Sequence, residues 1–109
     1  MPTRQEINKR STSYQDHLIR SLKNPQEAAA YLDAALEEGN PELFLLALRN
    51  TAEAQGGLLK ISKKTKLNRA NLYRMLSRKG NPELFSLECL LEALGLRLAV
   101  EVKVPKRAA

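Results

Sequence analysis

The sequence predicts a mostly α protein built around a helix-turn-helix and closed by one C-terminal β-strand that pairs in a dimer. Three observations lead there. Over residues 14–95 the apolar positions recur at spacings of three and four, the period of amphipathic helices, and Asn-Pro pairs and glycines punctuate them. Between Ala54 and Pro82 no Asp or Glu occurs, while Lys60, Lys63, Lys64, Lys66, Arg69, Arg74, Arg78 and Lys79 all do. Beyond Gly95 the apolar period drops to two.

Taken in order, residues 1–13 are expected as a mobile arm. Thr3 and Glu6 have capping-box spacing, but the polar stretch through Ser11 and Ser13 has few apolar residues to hold a helix down. A helix is expected over about residues 14–23. Asn24 as N-cap and Pro25 in the first helical position start the next, which runs to about Glu38 with Ala28, Leu32, Ala35 and Leu36 inward, and Gly39 stops it. Asn40 and Pro41 repeat the start signal, and the helix over residues 41–55 is expected to bury Leu43, Phe44, Ala47, Leu48 and Thr51 before Gly56 and Gly57 end it. The last helix is placed over about residues 86–94, ahead of Gly95. The hexapeptide GNPELF occurs at residues 39–44 and 80–85 without any repeat around it, so both copies read as one device for stopping a helix and starting another.

The helix-turn-helix is placed at residues 57–79, within a helical domain over residues 14–95. Leu58, Ile61 and Thr65 line one face of a short helix, Leu67 sits in the turn, and Asn68 is the N-cap of a second helix with Leu72, Met75 and Leu76 as its buried stripe. At about 100° per residue, Ala70, Arg74 and Ser77 lie opposite that stripe, Tyr73 flanks them, and Arg69 and Asn71 stand near the N-terminal end. This face, with Asn68, would enter a major groove of double-stranded DNA. Arg69 or Arg74 would offer two donors to guanine, Asn71 would pair with adenine or a phosphate, and Ala70 would allow close approach or meet a thymine methyl. Tyr73 and Ser77 suit phosphates, as do Lys63, Lys64, Lys66 and Lys79, whose flexible point charges position rather than read. A solvated basic face is the plainer reading. Against it, like charges a helical turn apart repel, so an acid-free run calls for an anionic partner.

Charge is segregated along the chain. The whole carries a formal +6 over 109 residues, yet Glu27, Asp33, Glu37, Glu38, Glu42 and Glu53 face only Arg49 between residues 27 and 53. A basic face for nucleic acid and an acidic one for something else, such as a basic protein, fit this division; so does a solvated acidic helix.

Leu96, Leu98, Val100, Val102 and Val104 alternate with Arg97, Ala99, Glu101 and Lys103 until Pro105, and residues 105–109 form a basic tail. A lone strand leaves its backbone groups unpaired, so residues 96–104 are expected to pair with their twofold mate in a homodimer, with an edge strand of another protein as the alternative. Such a dimer would hold two recognition helices about one DNA turn, roughly 34 Å, apart.

Enzyme chemistry finds no foothold. His17 is the lone histidine, Glu37 and Glu38 point to different sides of one helix, the glycines form no phosphate-binding fingerprint, and no metal or cofactor spacing occurs. Cys89, the only cysteine, lies among leucines and is expected as a small core residue in a reducing cytoplasm. No stretch reaches the roughly 18 apolar residues of a membrane span, and the first residues lack the apolar core of a secretory signal.

KISKKTKLNRANLYRMLSRKGNP, followed by LECLLEALGLRLAV, resembles the helix-turn-helix antitoxins known as addiction-module antidote proteins, related to the HigA-like, Xre-type group. The upstream NPQEAAAYLDAALEEGNPELFLLALRNTAEAQG resembles the helical region ahead of the motif in that family, so the similarity runs from Tyr14 to Val102. The resemblance implies a lambda-repressor-like helical domain, DNA-binding dimers that repress their own operon, and a RelE/ParE-like toxin as partner. A free-standing helix-turn-helix regulator is the alternative, and a protein-interaction module with a basic face a third. One departure is Lys66, where the family pattern favours a turn glycine. A left-handed conformation there would cost lysine roughly 1 kcal/mol.

Overall fold

The Asn-Pro pairs at 24–25 and 40–41 start helices through the same bond. Asn24 Oδ1 accepts from the Gln26 N–H at 2.9 Å and Asn40 Oδ1 from the Glu42 N–H at 2.9 Å, each with proline in the first turn. The computed structural model describes residues 4–104. They form six helices: α1 (Arg4–Ser21), α2 (Pro25–Glu37), α3 (Pro41–Ala54), α4 (Leu58–Lys64), α5 (Arg69–Met75) and α6 (Leu84–Ala93).

The main core gathers around α3. Leu45, Leu48 and Ala52 pack with Leu32 and Ala35 of α2, Ile61 of α4, Leu72 and Met75 of α5, and Leu90 and Leu91 of α6. A second, smaller cluster of Leu22, Ala28 and Ala54 joins the end of α1 to α2 and α3. One polar residue lies between helices: Asn50, 8% exposed, accepts from Gln15 of α1 at 3.0 Å and donates to the Tyr31 hydroxyl of α2 at 3.0 Å. Its burial is thus matched by partners on both neighbours.

Several expectations are corrected. Residues 4–13, expected as an arm, are helical and form the first part of α1; Thr3 and the basic tail 105–109 lie outside the described residues. Leu36 is 55% exposed, lining an open groove with Phe44 instead of a packed seam, and Leu43 cedes its inward place to Leu45. Cys89 is only half-buried.

The two GNPELF copies end differently. Asn40 caps α3, whereas α6 begins only at Leu84, with Glu83 as N-cap and no side-chain bond to close it. The cause lies at the glycines: Gly39 takes a positive φ of 72°, while Gly80 does not and is pressed against α5. A Cβ on Gly80 would run into the Met75 carbonyl oxygen. Residues 81–83 follow this tight return without regular structure, Glu83 in an extended conformation.

No strand forms among the described residues. Gly95, at φ 79°, ends α6 in a turn where the Leu96 N–H donates to the Leu91 carbonyl at 2.8 Å and the Gly95 N–H to Glu92 at 3.0 Å. That bond pair pulls Leu96, expected at a dimer interface, onto the chain's own core. Leu98, Val100, Val102 and Val104 follow in exposed, non-helical chain, Val100 fully so. A ladder needs a second strand, and the described residues supply none.

Gly80→Ala is expected to cost about 1–3 kcal/mol, because the backbone it meets cannot yield as a flexible side chain would. Urea unfolding would read this as a lower midpoint with an unchanged slope; an unchanged midpoint would mean the turn tolerates the methyl.

Candidate nucleic-acid interface

Helices α4 and α5, seven residues each, are joined by the four residues 65–68, an arrangement compatible with a helix-turn-helix. Ile61 points inward from α4 and Leu72 and Met75 from α5, as their spacing requires. The turn is organised by Thr65. Its Oγ1 donates to the Ile61 carbonyl at 3.0 Å and accepts the Leu67 N–H at 3.1 Å, which leaves Leu67 half-buried against the core. Lys66 therefore needs no left-handed conformation: among the described residues only glycines have positive φ. The strain expected at Lys66 is absent because a threonine side chain, not a glycine backbone, makes the turn.

Asn68 caps α5 as expected, its Oδ1 accepting from the Asn71 N–H at 2.7 Å. That bond commits Asn68 to holding the helix start. Arg69, Ala70, Asn71, Tyr73 and Arg74 are all exposed on α5, while Leu72 and Met75 are buried. The Arg69 guanidinium lies over the Tyr73 ring, 5.8 Å from its centre, so the two share one side of the helix. Ser77 falls beyond the end of α5, in the following turn, where its hydroxyl donates to the Arg74 carbonyl at 2.8 Å. It belongs to the edge of the face, not to the helix.

Lys63 and Lys64 close the last turn of α4, Lys66 stands in the joining turn and Lys79 in the turn after α5, all exposed. Asn71, Arg74, Ser77 and Lys79 border a shallow hollow completed by Asn81, Ser86 and one carboxylate, Glu83. Asn81 and Ser86 join the face from outside the helix-turn-helix span 57–79. Asn81 carried only a helix-start signal in the sequence, and its place beside Arg74 follows from the Gly80 return.

Two arginines hold this region to the rest. Arg49 of α3 donates from Nη1 to the carbonyl of Leu76, the residue that ends α5. A cation at a helix C-terminus is favourable there, and it fixes the far end of α5 as Asn68 fixes the near end. The only sequence signal was its being the lone base in an acidic stretch. Arg78 pairs with Glu42 at 3.2 Å, but both side chains are at least half exposed, so the pair contributes little.

The described residues contain no group of three His, Cys, Asp or Glu side chains placed to hold a metal, and no helix among them is long and apolar enough to cross a membrane. The fold and this face define a small helical protein that presents two short basic helices, joined by a tight turn, on a shared core. Within that class the chain belongs to the family described as "Probable addiction module antidote protein", whose model matches residues 14–102. It is also similar to an uncharacterized protein of Haemophilus influenzae, 34% identical over 80 residues that span 73% of this chain and 81% of that protein. No solved structure matches it. An antidote of an addiction module implies a toxin as partner.

Asn68→Ala is expected to destabilise the protein by about 1 kcal/mol and to speed amide exchange at Asn71 and its neighbours in α5. Exchange measured residue by residue would show it; unaltered protection at Asn71 would mean the cap is not what orders the helix start.

Proposed function

We propose that the protein is the antitoxin of a type II toxin–antitoxin pair that binds its own operator through α5, acts as a homodimer in the cytoplasm, represses its operon and neutralises a RelE/ParE-like toxin. The observation that carries the DNA part is the exposed face of α5: Arg69, Ala70, Asn71, Tyr73 and Arg74 point outward from a helix capped at both ends, inside a stretch of chain without a carboxylate. Antitoxin function rests on the family. The first test is growth rescue. The open reading frame beside this gene is expressed with and without this protein, and growth and co-purification are recorded; arrest relieved by a copurifying complex is the expected result. No toxicity and no complex would leave a free-standing helix-turn-helix regulator, and no promoter binding either would leave the protein-interaction module.

Affinity for its own promoter is expected to fall steeply with salt, since each phosphate neutralised by lysine or arginine releases counterions. Arg74→Ala is expected to cost about 1–3 kcal/mol if it reads a base, with the loss confined to one position of the operator. Titration at several salt concentrations tests both, and salt-insensitive binding would remove the repressor reading.

Dimer formation is assigned to residues 96–104, whose valines are exposed in alternation with Ala99, Glu101 and Lys103. Strand pairing about a twofold axis would satisfy backbone groups of residues 97–104 that find no backbone partner among the described residues. Val100 touches nothing in the single chain, so Val100→Asp should leave folding intact and shift the mass seen by light scattering from dimer to monomer. An unchanged mass would take the segment out of the interface.

A further inference from the structure

An open groove of about 400 Å³ runs between α2, the first turn of α3, the end of α6 and the segment that follows it. None of its lining residues comes from α4, α5 or the turn between them. Leu36, Phe44 and Leu98 form apolar lining, with Leu36 55% and Leu98 42% exposed. Asp33, Glu37 and Glu101 stand on it as well, against the single base Arg97.

We propose that this groove is where the toxin docks, through a cationic, amphipathic segment that seats apolar side chains against Leu36, Phe44 and Leu98 and sets lysines or arginines beside Asp33, Glu37 and Glu101. The proposal rests on the antitoxin reading above, since it names the surface that reading requires. Charge decides the occupant. Asp33 and Glu37 lie one turn apart on α2, a like-charge spacing that disfavours the helix until a cation sits between them. The one ion pair among the described residues is Arg78 with Glu42, so none of the groove carboxylates has its charge met within the described chain. The chain carries +6 overall, and a cationic partner finds attraction mainly along the acidic residues 27–53 and at Glu83, Glu88 and Glu92, of which only the former give carboxylates to this groove, beside Glu101. A second copy of this chain would meet residues 96–104, one wall of the groove, by backbone pairing along the strand edge, which leaves Leu36, Phe44, Asp33 and Glu37 on the opposite wall for another occupant.

The test uses the full chain and, as probe, the purified product of the neighbouring open reading frame. Leu36→Lys and Glu37→Lys are expected to weaken that complex at least about tenfold and to abolish growth rescue. Glu37→Gln should weaken it by a few-fold and flatten its dependence on salt. Thermal unfolding, mass by light scattering and promoter binding should stay as in the wild type, because Leu36 and Glu37 are exposed and apart from α5. Undiminished toxin affinity in both lysine variants overturns the proposal. So does a Leu36→Lys protein that drops from dimer to monomer, which would make the groove an interface between copies. A wild-type protein that binds its promoter yet forms no complex removes the antitoxin reading itself, and that outcome is read without any variant.

Discussion

Burial of α3 on most of its circumference is the constraint on which the rest of the structure depends. Leu45, Ala47, Leu48, Asn50, Thr51, Ala52 and Ala54 are all buried, leaving a strip with Leu46 and Glu53 toward solvent. A helix of 14 residues hidden on so many sides must be surrounded, and α1, α2 and α4 lie against it. Leu48 alone, with no exposed surface, contributes on the order of 2 kcal/mol relative to an exposed leucine. Thr51 survives in the same setting because its hydroxyl donates back to the Ala47 carbonyl at 2.8 Å. Nothing polar is left stranded by this packing among the described side chains.

The short basic helices follow from it. Seven residues are too few for a helix to persist alone in water, so α4 and α5 exist only because Ile61, Leu72, Met75 and Leu76 are drawn into the cluster that α3 organises. Once the apolar stripe of α5 is used there, its remaining positions are fixed toward solvent. The side chains that face outward are then chosen by something other than folding: two are arginines, none is acidic, and the exposed lysines of α4 and the turn add to their charge. Mutual repulsion among them costs stability that the buried leucines and the two helix-end bonds offset.

Much of this order was legible in the sequence because it is written in local chemistry. Asn-Pro starts, the Asn68 cap and the three-and-four spacing of Leu72, Met75 and Leu76 act within a single turn of helix, and each appears where its residues stand. The exposed face of α5 was legible for the same reason, save Ser77, which a helix ending at Met75 leaves in the turn. What stayed hidden depends on contacts between distant residues. The second GNPELF follows the first in sequence but not in structure, because Gly80 is pressed on α5. Arg49 reaches across to Leu76, Asn50 joins three helices, and Leu96 folds back on Leu91. No periodicity announces such pairings. The alternating pattern of residues 96–104 is a further case: it records a preference for pairing that one chain cannot satisfy, and so it remains without a ladder here.

In the proposed reading the protein has two binding surfaces of opposite sign, and their separation limits how one can affect the other. The molecule measures 48 × 47 × 27 Å along its principal axes, while charges in physiological salt are screened over about 8 Å. A cationic toxin segment in the α2–α3 groove would therefore act through space only on the nearest part of the α5 region. Coupling to the rest must pass through the packed protein. One route is the α3 body, which carries Phe44 at the groove and Arg49 at the end of α5, barely more than a helical turn apart. The other is the segment 96–104, which lines the groove with Leu98 and Glu101 and, in the proposed dimer, sets the distance between two recognition helices. The first route runs through a fully packed helix, whose core resists displacement. The second runs through exposed chain held on one side only by Leu96. Of the two, the exposed segment is where occupancy of the groove has room to alter spacing, and with it the fit to two half-sites.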